Sequence, residues 1–217
     1  MKIAPNKSSP KNGNRCLKRG LGVLALIALV IAVPTWANDE TAPSSEIEGL
    51  NALLLEVMQN ADELGFEGRY DRLDPELRRI FDFPFMAKTS IGRAWNDLTP
   101  EQQQAYSDAF ADLSVATFAN RFSGYSGENF QVTGQAPGRS GTVMVQNRLI
   151  KSDGEPVEIN YLTREADGQW HVVDVLLDGR ISELATKRSE YSAVLKNHGI
   201  DHLIDSLSQK ASQLASQ

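Results

Sequence analysis

Up to Phe122 the apolar residues of this chain recur with a helical period. From Phe130 onward they alternate one by one, and the switch falls across Gly124 and Gly127. A chain whose helical signals come first and whose strand signals follow cannot build the alternating units of a parallel sheet. It reads as α+β, with an antiparallel sheet against helices. Four runs carry the alternation: Phe130-Gln131-Val132, Thr142-Val143-Met144-Val145, Val157-Glu158-Ile159-Asn160-Tyr161 and His171-Val172-Val173-Asp174-Val175. Asp153-Gly154 and Asp167-Gly168 lie between runs, where tight hairpins want them. The expected fold is therefore a curved four-stranded antiparallel meander with helices before and after it. One sheet face carries Phe130, Val132, Val143, Val145, Leu149, Val157, Ile159, Tyr161, Val173, Val175 and Leu177. The opposite face of the middle strands is polar. In the last strand Trp170, Val172 and Leu176 make the second face apolar as well, so something must cover it.

The helical half is punctuated by start signals. Ser45-Glu46-Ile47-Glu48 has capping-box spacing, and Ile47, Leu50, Leu54, Val57 and Met58 then form one stripe, interrupted by Gly65 and Gly68. Asp74-Pro75-Glu76 suggests a second start. Asp82 caps a short helix with Pro84 in its first turn, ending near Gly92. Thr99-Pro100-Glu101-Gln102 opens a long helix over 100–122. That helix has two stripes, one of Tyr106, Phe110, Leu113 and Thr117 and one of Val115, Phe118 and Phe122. This is wider than a helix on a single flat core needs. After Gly179, Ser182 caps a helix carrying Leu184, Arg188, Tyr191 and Leu195. Gly199 ends it, and Asp201 caps a last helix.

Ahead of all this, Lys2, Lys7, Lys11, Arg15, Lys18 and Arg19 precede an apolar run over 21–33, then Pro34 and Thr35-Trp36-Ala37. This is the layout of a cleavable secretory signal peptide, with cleavage expected after Ala37. The run is shorter than the ~20 residues that span a bilayer. The expected organisation is a signal peptide over 1–37, a flexible lead over 38–45 and a single domain over 46–217. The only cysteine, Cys16, precedes the apolar run, so the exported product would have no disulfide and would rely on its core. It would keep 16 basic and 28 acidic residues, a net charge of −12. That balance disfavours nucleic acid and anionic bilayer surfaces as partners.

The search for catalytic chemistry finds little. Only three histidines are present, His171, His198 and His202, and Gly199 separates the last two. Without cysteines the ligands for a metal are too few. Gly124-Tyr125-Ser126-Gly127 is one residue short of a nucleophile elbow and follows a helix, not a strand. No phosphate-cradling glycine loop is present, and no cofactor is expected. Asp174, mid-strand among Trp170, Val172, Val173 and Val175, has two readings. One is an acid–base residue acting on a small apolar or terpenoid substrate. The other is a structural carboxylate accepting hydrogen bonds from nearby backbone, including the start of the following helix. The second is favoured, because a buried carboxylate marks a site only statistically.

Phe81-Asp82-Phe83-Pro84-Phe85-Met86, Gly92-Arg93-Ala94-Trp95 and Leu98-Thr99-Pro100-Glu101-Gln102-Gln103 resemble the toluene-tolerance or MlaC-type family of periplasmic lipid shuttles. Trp170-His171-Val172-Val173-Asp174-Val175, with Gly179 and Ser182, looks like that family's last strand and turn. Ser182-Glu183-Leu184-Ala185 and the stretch from Arg188 to Leu195 look more like its hopanoid-cluster, HpnM-type branch. The resemblance implies a periplasmic, non-enzymatic monomer that encloses lipid in an apolar pocket. It would carry phospholipid or a hopanoid-type lipid between an inner-membrane ABC transporter complex and an outer-membrane complex. The residues expected to line the pocket are Phe83, Met86, Trp95, Phe110, Phe118, Val143, Val145, Tyr161, Val173, Val175, Tyr191 and Leu195. Two other functions compete with it. One is the enzyme with Asp174 as base. The other is an adaptor whose groove holds a partner helix.

Overall fold

A computed structural model describes residues 43–216. The expected signal peptide, its cleavage point, Cys16 and residues 38–42 of the expected lead lie outside them. The rest of that lead is helical. Helix α1 (Pro43–Gln59) starts at Pro43, so Ser45 lies inside the first turn and does not cap it. Proline loses nothing at a helix start, where its missing N–H has no partner to miss. The buried stripe of α1 includes Ile47, Leu50, Leu54 and Val57.

The start expected at Asp74-Pro75 does not occur. Helix α2 (Ala61–Ile80) runs through Pro75 and is broken instead at Gly65, whose φ of 60° and ψ of −171° are not helical. The buried side chains Arg69, Leu73, Leu77 and Ile80 continue across the proline. Their packing outweighs a missing backbone hydrogen bond, and Asp74 pairs with Arg78 at 2.7 Å rather than capping.

The next two start signals behave as their chemistry dictates. The Asp82 carboxylate accepts from the Phe85 backbone N–H at 3.0 Å and opens α3 (Phe83–Ile91). Thr99 and Gln102 form a reciprocal capping box at the head of α4 (Pro100–Arg121). Between them a 3₁₀ turn spans Gly92–Asp97. Gly92 has a φ of 58°, in the region that favours glycine, and a side chain there would have to displace the Arg188 guanidinium, 2.7 Å away.

The second half forms an antiparallel meander in the order β1-β2-β3-β4-β5. Its strands are β1 (Asn129–Pro137), β2 (Thr142–Ile150), β3 (Pro156–Ala166), β4 (Gln169–Leu177) and β5 (Ile181–Ser182). The expected four-stranded sheet thus gains a fifth strand. It is only two residues long, too short for alternation to reveal. It folds back on Leu176 and Leu177 through Asp178 and Gly179, both at positive φ. The hairpin at Asp167-Gly168 is as expected, with both residues at positive φ.

One bulge alters the facing of β4. Tyr161 pairs with Val175 and Leu162 with Asp174, but Thr163 pairs with Val172. Val173 is the extra residue, and Val172 takes the inward position that simple alternation assigns to Val173. Val172 also pairs along the free edge of this strand. Phe81 bridges to it in parallel, and its carbonyl accepts from the Asp82 N–H at 3.0 Å. Arg164 on β3 reaches Asp82 at 2.6 Å and lies 4.2 Å from the Phe85 ring centre, fixing α3 to the sheet.

Helix α4 is buried on several sides, which accounts for its double stripe. Tyr106 and Phe110 face Tyr191 of α5 (Glu183–Ala215), each ring centre 6.5 Å from it. Phe118 and Phe122 turn toward Phe81 and Phe130, at 5.5 and 6.0 Å. The expected break at Gly199 is present as a kink with a φ of 82° within α5. The Asp201 carboxylate accepts from the Gln102 side chain at 3.0 Å.

Burial raises the phenol pKa values of Tyr106, Tyr161 and Tyr191. The fold keeps protons that the unfolded chain releases from about pH 10. Stability from these groups is complete below about pH 10 and falls as pH climbs above it. Urea midpoints taken on either side of about pH 10 should therefore drop on the alkaline side.

Candidate functional site

The last turn of α4 stands over the inward face of β2, β3 and β4. Arg69, itself buried, holds that turn by donating from Nε to the Ala119 carbonyl at 2.9 Å and from Nη1 to the Ala61 carbonyl at 3.0 Å. A cation on the last carbonyls of a helix satisfies acceptors that have no partner within the helix. Phe118 and Phe122 then project toward the sheet side of the helix, against Phe81 and Phe130.

The space between is a recess of about 380 Å³. Its walls are Phe118, Phe122, Leu149, Val157, Ile159, Tyr161, Val175 and Leu177, with Thr117, Arg121 and Asp178 completing them. The Thr117 hydroxyl donates to the Leu113 carbonyl of its own helix, so it adds little polarity. The charged groups are therefore Arg121 and Asp178, both exposed and each at the end of its element. They mark the mouth. The inner end lies at Tyr161 and Phe118, whose rings both pack against Phe81. The recess thus grades from two opposite charges outside to aromatic carbon inside, and its volume suits a small ligand.

Of the residues expected to line a pocket, Phe118, Tyr161 and Val175 do so here. Met86, Phe110, Val145 and Tyr191 are buried in the main core cluster. Phe83 and Trp95 border a separate, more polar recess with Arg78 and Gln103. Leu195 borders a third, beside Gly199 and Ile200. Val143 is half-buried on β2. Val173 is buried at the bulge but outside the main cluster. Leu149, Val157, Ile159, Leu177 and Phe122 were legible as inward-facing, and the recess shows which inward residues are left without partners. Arg121 and Asp178 gave no local signal, because their importance comes from where two elements end.

Asp174 takes its structural role. Its Oδ1 accepts from the Val175 and Leu184 backbone N–H groups at 2.8 and 3.1 Å, and its Oδ2 accepts from the Ser182 hydroxyl at 2.5 Å. Ser182 in turn caps α5 by accepting from the Ala185 N–H at 2.9 Å. The carboxylate ties β4 to the start of α5 and does not line the recess. Among the described residues no group of three or more His, Cys, Asp or Glu is arranged to hold a metal. The rings of His198 and His202 lie 4.8 Å apart, centre to centre. Among the same residues no helix is long and apolar enough to cross a membrane.

These features define an α+β domain with helices on a five-stranded antiparallel meander and an apolar, charge-rimmed recess beneath one helix end. The MlaC protein family model matches residues 49–209, and the chain belongs to that family. It is similar to the intermembrane phospholipid transport system binding protein MlaC of Haemophilus influenzae, 22% identical over 204 residues, covering 91% of this chain and 95% of the relative. Its fold is that of a phospholipid-binding protein from Ralstonia solanacearum solved in complex with a phospholipid. The TM-score is 0.69 at 22% identity, over 79% of this chain and 97% of that one.

Proposed function

We propose that this protein is a periplasmic lipid carrier, exported by cleavage of residues 1–37, that holds hydrocarbon in the recess beneath α4 and keeps the headgroup at the mouth. The observation that carries the reading is the recess itself: apolar walls with Arg121 and Asp178 at the rim, in a chain of a family whose named relative belongs to a phospholipid transport system. The phospholipid bound by the Ralstonia solanacearum protein supports the same class of cargo.

The need for a carrier follows from magnitude. Exposing an acyl chain of about 16 carbons to water costs about 12 kcal/mol, at about 0.8 kcal/mol per methylene. A carrier does not have to outbind a bilayer. It has to offer an interior of similar quality, so that loading and unloading both run near equilibrium. Arg121 can meet a lipid phosphate, and Asp178 an ammonium beside it. In this reading the exchange partners are an inner-membrane ABC transporter complex and an outer-membrane complex, and the carrier works as a monomer. The resemblance of residues 182–195 to the hopanoid branch makes a hopanoid-type lipid the alternative cargo.

The test is lipid exchange between donor and acceptor vesicles, followed by dequenching of a labelled phospholipid. Added protein should accelerate exchange in proportion to its concentration, and a hopanoid cargo would show as competition by hopanoid in the donor vesicles. No acceleration, with no lipid found on the protein afterwards, would overturn the carrier reading. The three donors that meet Asp174 outside the recess support its structural reading over the enzymatic alternative.

A further inference from the structure

Two large apolar side chains stand exposed among the described residues: Tyr125, 45% exposed, and Ile181, 47% exposed. A single exposed apolar side chain is ordinary on a protein surface. These two flank one opening. Tyr125 follows Phe122 of the recess wall by three residues, so their Cα atoms lie within about 11 Å. Ile181 pairs with Leu177, also of the recess wall, across β4 and β5. Directly opposed residues of an antiparallel pair send their side chains to the same face, about 5 Å apart. The apolar floor that runs through Val175 and Leu177 therefore continues onto Ile181, in the open.

Charge and area say what such a surface meets. The segments that carry the two side chains, 121–125 and 178–181, hold Arg121 and Arg180 against Asp178 alone. That is a local excess of one positive charge, in a chain expected to carry a net −12 once residues 1–37 are removed. Phosphate headgroups are not repelled here. A stable protein interface buries about 800 Å² on each partner, far more than two half-exposed side chains supply. A bilayer interface asks less. It takes single aromatic and aliphatic side chains at headgroup level, a tyrosine with its ring in the apolar layer and its hydroxyl wet.

We propose that Ile181 and Tyr125 form a lip that seats the recess mouth on a zwitterionic lipid bilayer. Lipid then passes between leaflet and recess over Ile181, and its hydrocarbon never crosses open water. This rests on the carrier reading above and adds where cargo enters. Contact of this size is weak, so the protein leaves the surface once loaded.

Phosphatidylcholine vesicles are the probe. The double variant Tyr125→Ser with Ile181→Ser should load a fluorescent phosphatidylcholine at an initial rate about tenfold below that of the unaltered protein. The final amount bound should not change, because neither residue lines the recess. Both side chains are exposed, so the urea midpoint should not move. Contact itself is read on Tyr125→Trp, combined with Ile159→Asp, whose charge on the recess wall keeps cargo out. Brominated phosphatidylcholine vesicles should quench that protein more than Ile159→Asp alone, which keeps Trp95 and Trp170. A double variant that loads at the unaltered rate would overturn the proposal. So would a lower final amount at an unchanged midpoint, or no added quenching in excess vesicles. If the unaltered protein loads no lipid, it is the carrier reading that has failed, and the quenching still decides the lip.

Discussion

Ile159→Asp, prepared without detergent, should carry less than about one hundredth of the lipid found on the unaltered protein. Ile159 lies on the middle strand of the recess, between Val157 near the mouth and Tyr161 at the inner end. A carboxylate there would be dehydrated by any hydrocarbon that entered. Burying an unpaired charge costs several kcal/mol, and about 3 kcal/mol already exceeds a hundredfold in affinity. The empty fold suffers less, because the side chain is half-buried and the recess opens to water. Circular dichroism should therefore show a folded protein while native mass spectrometry shows no adduct. Ile159→Phe is the uncharged companion and should keep the lipid signal. Lipid retained at full occupancy by a folded Ile159→Asp protein would place the hydrocarbon elsewhere.

Asp174→Ala should lower unfolding stability by about 3 kcal/mol and the midpoint temperature by about 6–12 °C. Three donors converge on this carboxylate, from Val175, Ser182 and Leu184. Hydrogen bonds to a charged acceptor are worth about 1.5–3 kcal/mol each when removed singly, and a shared acceptor gives less than their sum. The loss should fall on the junction of β4 with α5, which hydrogen exchange at the Leu184 and Ala185 amides would report. Below the melting transition, lipid content and exchange should match the unaltered protein. A variant of normal stability that had lost function would return Asp174 to a chemical role.

Different parts of this molecule were legible to different degrees. The Asp82 cap, the Thr99–Gln102 box and the Asp167-Gly168 hairpin are decided by neighbours within a few residues, so their residue types announce them. Pro75 misleads because the stripe from Arg69 to Ile80 carries the helix through it, and that stripe gains its value from α4 and the core, far along the chain. Alternation places Val143, Val145 and Tyr161 in a common period but cannot announce the bulge that exchanges Val173 for Val172. A two-residue β5 leaves no period to read.

The candidate site follows the same logic. Apolar residues facing inward are visible as a pattern, while a recess is the place where that pattern goes unpaired. Phe110 and Tyr191 are as aromatic as Phe118, yet they fill the contact between α4 and α5. Phe118 and Phe122 instead roof the space over the sheet. What separates them is their partners: Phe110 meets Tyr191 of α5, while Phe118 and Phe122 meet Phe81 and Phe130. Arg121 and Asp178 become neighbours of one opening only because α4 and β4 both stop there.

Everything functional here depends on hydrocarbon occupying the space under the end of α4. Native mass spectrometry of the protein purified from its own cells without detergent, with organic extraction of whatever comes off, tests that directly. A lipid adduct that leaves on collisional activation, and is displaced when Ile159→Asp is introduced, is the predicted result. Bare chain mass in repeated preparations, unchanged after incubation with phospholipid or hopanoid vesicles, would contradict it.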